Sequence, residues 1–363
     1  MDFDLSDEQR LLQEAVLQFL ENECPMSRLR ELFDDEVGYD PVLWKGLAEM
    51  GLAGIHLPSE YGGSELEILD LAVAAETLGE AAAPVPFLSH SLATQAIVSG
   101  GSEEQKSRLL PSLAAGESLA TIAFAEEEGV WLPDQWTLAV PEGALGKISG
   151  TKEIVEFGEH ADTFVVGLAG AKMGIVDRNA SGVEIQRVEG ADRTRRIARV
   201  RFDSTPIEVL ERSGAEAAGR VRDVGLVLLA ADAFGGATKL VDMSIEYAKN
   251  REQFGVTIGH FQALKHQLAN MAVEIEPARA LYWYAAHALD HDPEDAVRTA
   301  AIAKSHLCDR YSQIARDATE AHGGIGYTWE GDTQIWFKRA LFDRVFLGTP
   351  RFHRDRAADL AGW

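Results

Sequence analysis

Between about residue 119 and residue 212 the chain changes texture, and this change limits the available folds more than any other feature. Thr121-Ile-Ala-Phe-Ala125, Phe164-Val-Val-Gly-Leu168, Gly174-Ile-Val176, Val183-Glu-Ile-Gln-Arg-Val188 and Arg199-Val-Arg-Phe202 are short β-rich runs separated by Gly, Asp and Asn. That is strand and turn chemistry, so a small β-barrel or sandwich is expected there. Trp131, Pro133 and Trp136 fall in an expected loop.

Both flanks carry a helical period instead. Ser6 with Gln9 reads as a capping box, followed by Leu11, Leu12, Ala15, Val16, Phe19 and Leu20 on one face. A second helix is expected around Trp44–Leu52, a turn at Pro58–Gly63, a buried helix over Leu66–Leu78 and a shorter one over Glu103–Leu113. Beyond the β region, Val221–Tyr247, Phe261–Leu289, Asp295–His322 and Asp332–Phe346 are long amphipathic runs, which predicts a four-helix bundle. The expected class is α+β, mainly α, with domains at 1–118, 119–215 and 216–363.

Two segments carry chemistry. Arg251-Glu-Gln-Phe-Gly-Val-Thr-Ile-Gly-His-Phe-Gln262 is followed some sixty residues later by Glu320-Ala-His-Gly-Gly-Ile-Gly-Tyr-Thr-Trp-Glu330. An Arg fork matches phosphate oxygens, and a Gln amide both donates and accepts. A Gly-Gly pair lets backbone approach a diphosphate with no Cβ in the way. Taken singly, each segment also reads as a helix end or a glycine turn.

Together, in this order and spacing, they resemble the acyl-CoA dehydrogenase family of flavoproteins, as does the Pro58-Ser-Glu-Tyr-Gly-Gly63 run, and the resemblance covers essentially the whole chain. It implies the fold of that family: a helical domain, a middle β domain and a helix bundle. It also implies FAD shared across a subunit interface, with Arg251, Phe254, Phe261, Gln262, Glu320, Gly323, Gly324 and Thr349 as the cofactor-binding residues. Glu320 stands where the family more often has Gln.

The same resemblance exposes losses. The two family positions for the catalytic base fall on Leu347, in Phe346-Leu-Gly-Thr-Pro350, and on Gly225, and neither is a carboxylate; Leu226 replaces the Arg that often follows the second. Asp223, two residues from Gly225, is about 200° around a helix and is expected to point away. Ala125-Glu-Glu-Glu-Gly-Val-Trp131 replaces a Thr-Glu-Pro loop, and Lys152-Glu-Ile-Val-Glu-Phe157 replaces a strand that stacks on flavin. Glu126, Glu127, Glu128 and Glu156 are expected to form a solvated acidic face, or else to repel flavin electrostatically. Arg193-Thr-Arg-Arg196 is expected to be a solvated turn, with a CoA phosphate as the other reading. His322 is read as cofactor-adjacent, and His260, His266, His287 and His291 as surface or packing residues.

These features imply the non-catalytic partner in an FAD-dependent acyl-CoA dehydrogenase, paired α2β2 with an active α subunit that binds the acyl-CoA, which some relatives take from steroids. An electron-transfer flavoprotein is the implied acceptor. Two rival readings stay open: a self-sufficient homomeric flavoenzyme with another base or reaction, and a flavin-free acyl-CoA-binding module. The net charge of −24 disfavours nucleic acid and anionic membrane as partners. Cys24 and Cys308 lack metal spacing, so no metal site is expected. With no basic leader and no apolar run near ~20 residues, a cytoplasmic, non-spanning chain is expected.

Overall fold

A computed structural model describes residues 4–140 and 146–363. The chain divides into two compact units that do not follow chain order: residues up to Met26, Ala72–Ala83 and Leu226–Trp363 form one, and Ser27–Leu71 with Pro84–Gly225 the other.

Helices open the chain: α1 (Asp7–Glu23), α2 (Met26–Asp34), α3 (Pro41–Glu49), α4 (Ile68–Glu80), α5 (Phe87–Gly100) and α6 (Glu103–Ala114). The capping box at Ser6 is present, with Gln9 N donating to Ser6 Oγ and the Gln9 side chain accepting from Ser6 N. α5 has no polar face, because Ser89, His90, Ser91, Thr94 and Gln95 are buried with its apolar residues. His90 Nε2 lies 3.1 Å from the Leu113 carbonyl, and its Nδ1 accepts from Ala120 N.

The β region forms two sheets. One runs β1 (Ala120–Ala123), β3 (Thr163–Leu168), β4 (Lys172–Asp177), β7 (Glu208–Val209), with β1 parallel to β3. The other runs β2 (Lys147–Glu156), β6 (Ile197–Pro206), β5 (Val183–Val188), all antiparallel. The β2–β6 register shifts between Lys152 and Val155, where Ile154 takes φ 39°. A bulge of this kind re-aims side chains.

Arg196 enters the loop after α2 and donates to the carbonyls of Leu32 (2.9 Å), Asp35 (2.9 Å) and Gly38 (3.3 Å). A Cβ on Gly38 would lie 1.7 Å from the guanidinium, so only glycine fits. Arg193 reaches Asp34 at 2.9 Å. The expected solvated turn at Arg193–Arg196 is therefore corrected. Arg195 and Arg196 are buried, and Arg196 satisfies backbone carbonyls that would otherwise lack a donor.

The other unit is helical: α7 (Ala215–Asn250, from Leu226 onward), a hairpin of β8 (Glu252–Gln253) and β9 (Val256–Thr257), α8 (Gln262–Ile275), α9 (Arg279–His291), α10 (Pro293–Ala321), α11 (Thr333–Val345) and α12 (Pro350–Leu360). The expected helix over Phe261–Leu289 is broken at Glu276–Ala278, where Pro277 removes a backbone donor. α4 and α7 cross in backbone contact: a Cβ on Gly79 would lie 2.3 Å from Asp232 O, and one on Gly235 2.0 Å from Glu76 O. α7 is long and apolar enough to cross a membrane by composition, contrary to the expected lack of such a run, yet 89% of that window is buried in the fold.

Candidate functional site

α7 ends at Asn250, and the chain turns at once. Arg251 N donates to Tyr247 O and its carbonyl accepts from Ile258 N, both at 2.8 Å. Between these anchors Phe254 (φ 55°) and Gly255 (φ 79°) both take the left-handed conformation, giving a two-residue mirror-image hairpin turn. A phenylalanine there is strained, and its ring is 91% exposed. It meets Phe261 edge-on at 6.1 Å. Gln262 opens α8 and is exposed. The Arg251 guanidinium is exposed and has no ion-pair partner among the described residues.

A ring stack joins this hairpin to the glycine turn after α10. Tyr247 lies one turn before Arg251, and His322 directly precedes Gly323; their rings stack at 4.5 Å and 24°. His322 Nδ1 donates to Ala318 O at 2.8 Å. Burial holds the His322 pKa below its ordinary value, against the pull of that bond. Gly323 takes φ 63°, and a Cβ on it or on Gly324 would meet nothing within 4 Å. Glu320, Ile325, Tyr327 and Trp329 are exposed around the turn, and Lys338 Nζ sits 3.9 Å over the Trp329 ring. An unpartnered guanidinium, an amide, open glycine backbone and exposed rings can bind phosphate oxygens and flat rings. Thr349 lies elsewhere in this unit and caps α12, its Oγ1 accepting from Phe352 N at 3.4 Å.

The turn holding Leu347 is braced from below. Lys304 Nζ donates to Phe346 O at 3.0 Å and to Asp343 O, and His353 Nε2 donates to Leu347 O at 2.8 Å. Leu347 takes φ 57° and is buried. Gly225 is buried in α7, and neighbouring Asp223 is paired with Arg222 at 2.8 Å. Asp232 is buried against Arg339.

The acidic run in the β unit departs from expectation. Glu126 and Glu156 are 8% and 1% exposed, not solvated. Glu126 bonds buried Lys152 at 2.7 Å and accepts from Thr137 N, Thr137 Oγ1 and Leu138 N. Burial would raise the Glu126 pKa, but the bonds from Lys152 and Thr137 outweigh it and hold it low. Burial pulls Lys152 down to about 8. Glu156 pairs with Arg195 at 3.2 Å, and Arg195 also faces Asp192 at 3.8 Å. These carboxylates are neutralised from within, so the expected repulsion of flavin by Glu126 and Glu156 is withdrawn. Glu127 is exposed, and the side chain of Glu128 lies outside the described residues.

The fold and the paired motifs define a flavoprotein dehydrogenase scaffold. Residues 6–117 match the acyl-CoA dehydrogenase N-terminal domain and residues 213–361 the acyl-CoA dehydrogenase C-terminal domain. The chain is 32% identical to acyl-CoA dehydrogenase IpdE2 of Mycolicibacterium smegmatis, over 96% of each chain. It superposes on a variant of the Tcur3481–Tcur3483 steroid ACAD with TM-score 0.90 and 31% identity, covering 98% of both chains. A solved FAD-dependent dehydrogenase matches with TM-score 0.85 and 27% identity over the full length of both. The chain belongs to the acyl-CoA dehydrogenase family.

Proposed function

We propose that this chain is the non-catalytic subunit of a heteromeric FAD-dependent acyl-CoA dehydrogenase. In this reading it closes the adenosine and pyrophosphate end of FAD held mainly by an active subunit, in an α2β2 assembly that desaturates the α,β-bond of an acyl-CoA thioester. The observation that carries the reading is Leu347: the turn is fully braced by Lys304 and His353, yet the side chain at its tip has no proton-accepting group. The Tcur3481–Tcur3483 steroid ACAD, which pairs two proteins by name, supports a partner and a steroid or other lipid acyl-CoA.

Bound FAD supplies the hydride acceptor. Arg251 donates its fork to phosphate oxygens, and Gln262 can donate and accept beside it. Gly323 and Gly324 admit the diphosphate to the backbone. Phe254 and Phe261 would offer ring surface to the adenine, Glu320 could accept from a hydroxyl of the cofactor, and Thr349 could donate its hydroxyl hydrogen while its oxygen caps α12. None of these groups takes a proton from substrate, so the base comes from the active subunit. At this chain's own cradle, Glu156 is engaged by Arg195 and cannot donate, so the family strand's hydroxyl donor has no equivalent. An electron-transfer flavoprotein would serve the assembly as electron acceptor.

Flavin counting on the co-purified complex tests this. Two FAD per four chains are expected, with the isolated chain colourless and inactive. Four FAD per four chains would mean that this chain's own cradle binds flavin and would remove the main support for the reading; dehydrogenation by the isolated yellow chain would make it a self-sufficient enzyme.

A further inference from the structure

Away from the clamp residues of the same unit, α10 and α12 leave a groove of about 680 Å³ lined by twelve residues, including Glu274 from α8 and Trp363 beyond α12. This size falls within the roughly 300–1,000 Å³ range of small-molecule sites. Its floor is small: Ser305, Ala357, Ala358 and Ala361. Its lining also carries Arg298 and Arg310 from α10 and Arg354 from α12.

The charges there do not cancel. Asp309 serves three arginines, at 3.1 Å (Arg344), 3.5 Å (Arg354) and 3.7 Å (Arg310). Arg310 also meets Glu274 at 3.2 Å, and Arg298 meets Asp295. The groove lining itself holds three guanidiniums, of Arg298, Arg310 and Arg354, and two carboxylates, of Glu274 and Asp309, in a chain of net charge −24. The contacts of Arg354 and Arg310 to Asp309 are longer than tight ion pairs, so those forks can turn to a better acceptor. His306 lines the same groove; burial lowers its pKa and Arg310 lowers it further, while Asp309 and Glu274 oppose the shift. At the mouth Trp363 is 93% exposed, with its indole free to stack on a flat ring.

We infer that the α10–α12 groove binds a nucleotide-type anion, its phosphates between Arg310 and Arg354 and its base against Trp363. This site shares no lining residue with the Arg251 clamp and does not depend on the subunit reading above. Titration calorimetry of the full chain and of Arg251→Ala, which lacks the clamp guanidinium, tests it with ADP and with inorganic pyrophosphate as probes. Saturable binding of both is expected. Arg310→Ala with Arg354→Ala should weaken both at least tenfold, whereas Trp363→Ala should weaken ADP and spare pyrophosphate. Ala361→Glu, an exposed change that adds negative charge to the floor, should weaken both without disturbing the fold. Absence of saturable binding in the wild-type chain would overturn the inference. So would ADP binding that survives the double variant and Ala361→Glu but disappears in Arg251→Ala, since the nucleotide would then occupy the clamp.

Discussion

The hairpin and glycine turn around Arg251 and the polar interior around β2 handle charge in opposite ways. At the hairpin a guanidinium stands without a partner, a phenylalanine is held in left-handed backbone, and glycines face open space. Around β2 four charged groups are buried and ion-paired within the same unit: Glu126 with Lys152, Glu156 with Arg195. Unmet demand at a surface is the mark of a ligand-binding region. Demand met internally marks architecture, even where the family resemblance points to a cofactor cradle.

Breaking the interior should produce the largest effect. Arg195→Ala leaves Glu156 and Asp192 buried without their counter-charge, and the loss should be about 3–5 kcal/mol of unfolding free energy, the scale for breaking a buried pair. Urea denaturation reads this directly, and a loss below one kcal/mol would mean that water reaches the pair. Arg251→Ala should do the reverse: unfolding stays unchanged while FAD affinity of the assembled protein falls by about 1.5–3 kcal/mol, the value of a hydrogen bond to a charged group. A flavin titration showing unchanged affinity would remove Arg251 from the clamp.

Phe254→Gly sharpens the contrast at a single residue. Left-handed backbone costs a non-glycine residue about 1–2 kcal/mol, so the variant should be more stable by about 1 kcal/mol and yet hold flavin less well. Equal flavin retention would mean that the strained ring serves something else. The smallest effect is expected at Glu76, which is buried beside Tyr282 and Arg279. Burial raises its pKa, and the Tyr282 hydroxyl and Arg279 charge only partly oppose this. Its contribution is therefore complete below the ordinary carboxylate pKa and is lost as pH rises through the raised value. Glu76→Gln should raise the Tm at pH 8 and leave it nearly unchanged near pH 4; the opposite order would place Glu76 with the ion-paired carboxylates.

Much of the fold was legible because its signals are local. The Ser6 capping box, the strand runs and the long amphipathic helices of the bundle depend on neighbours within a few residues. α5 was missed because it is buried all round and so shows no period. α12 was missed although Thr349-Pro350 is a helix start. The two motif segments were legible as turns, but the Tyr247–His322 stack that joins them spans seventy-five residues and leaves no pattern. The acidic run was misread for the same reason: Lys152 is 26 residues from Glu126, and nothing local announces the pairing.

The Arg196 anchor implies something about the order of assembly. The carbonyls of Leu32, Asp35 and Gly38 emerge from the ribosome about 160 residues before the guanidinium that binds them. At roughly 5–20 residues per second that interval is on the order of 8–30 s. Until β6 is made, water alone must solvate this loop, and Asp34-Asp35-Glu36 keeps the waiting segment soluble. The side chain that finally threads the loop can do so only because residue 38 has none of its own.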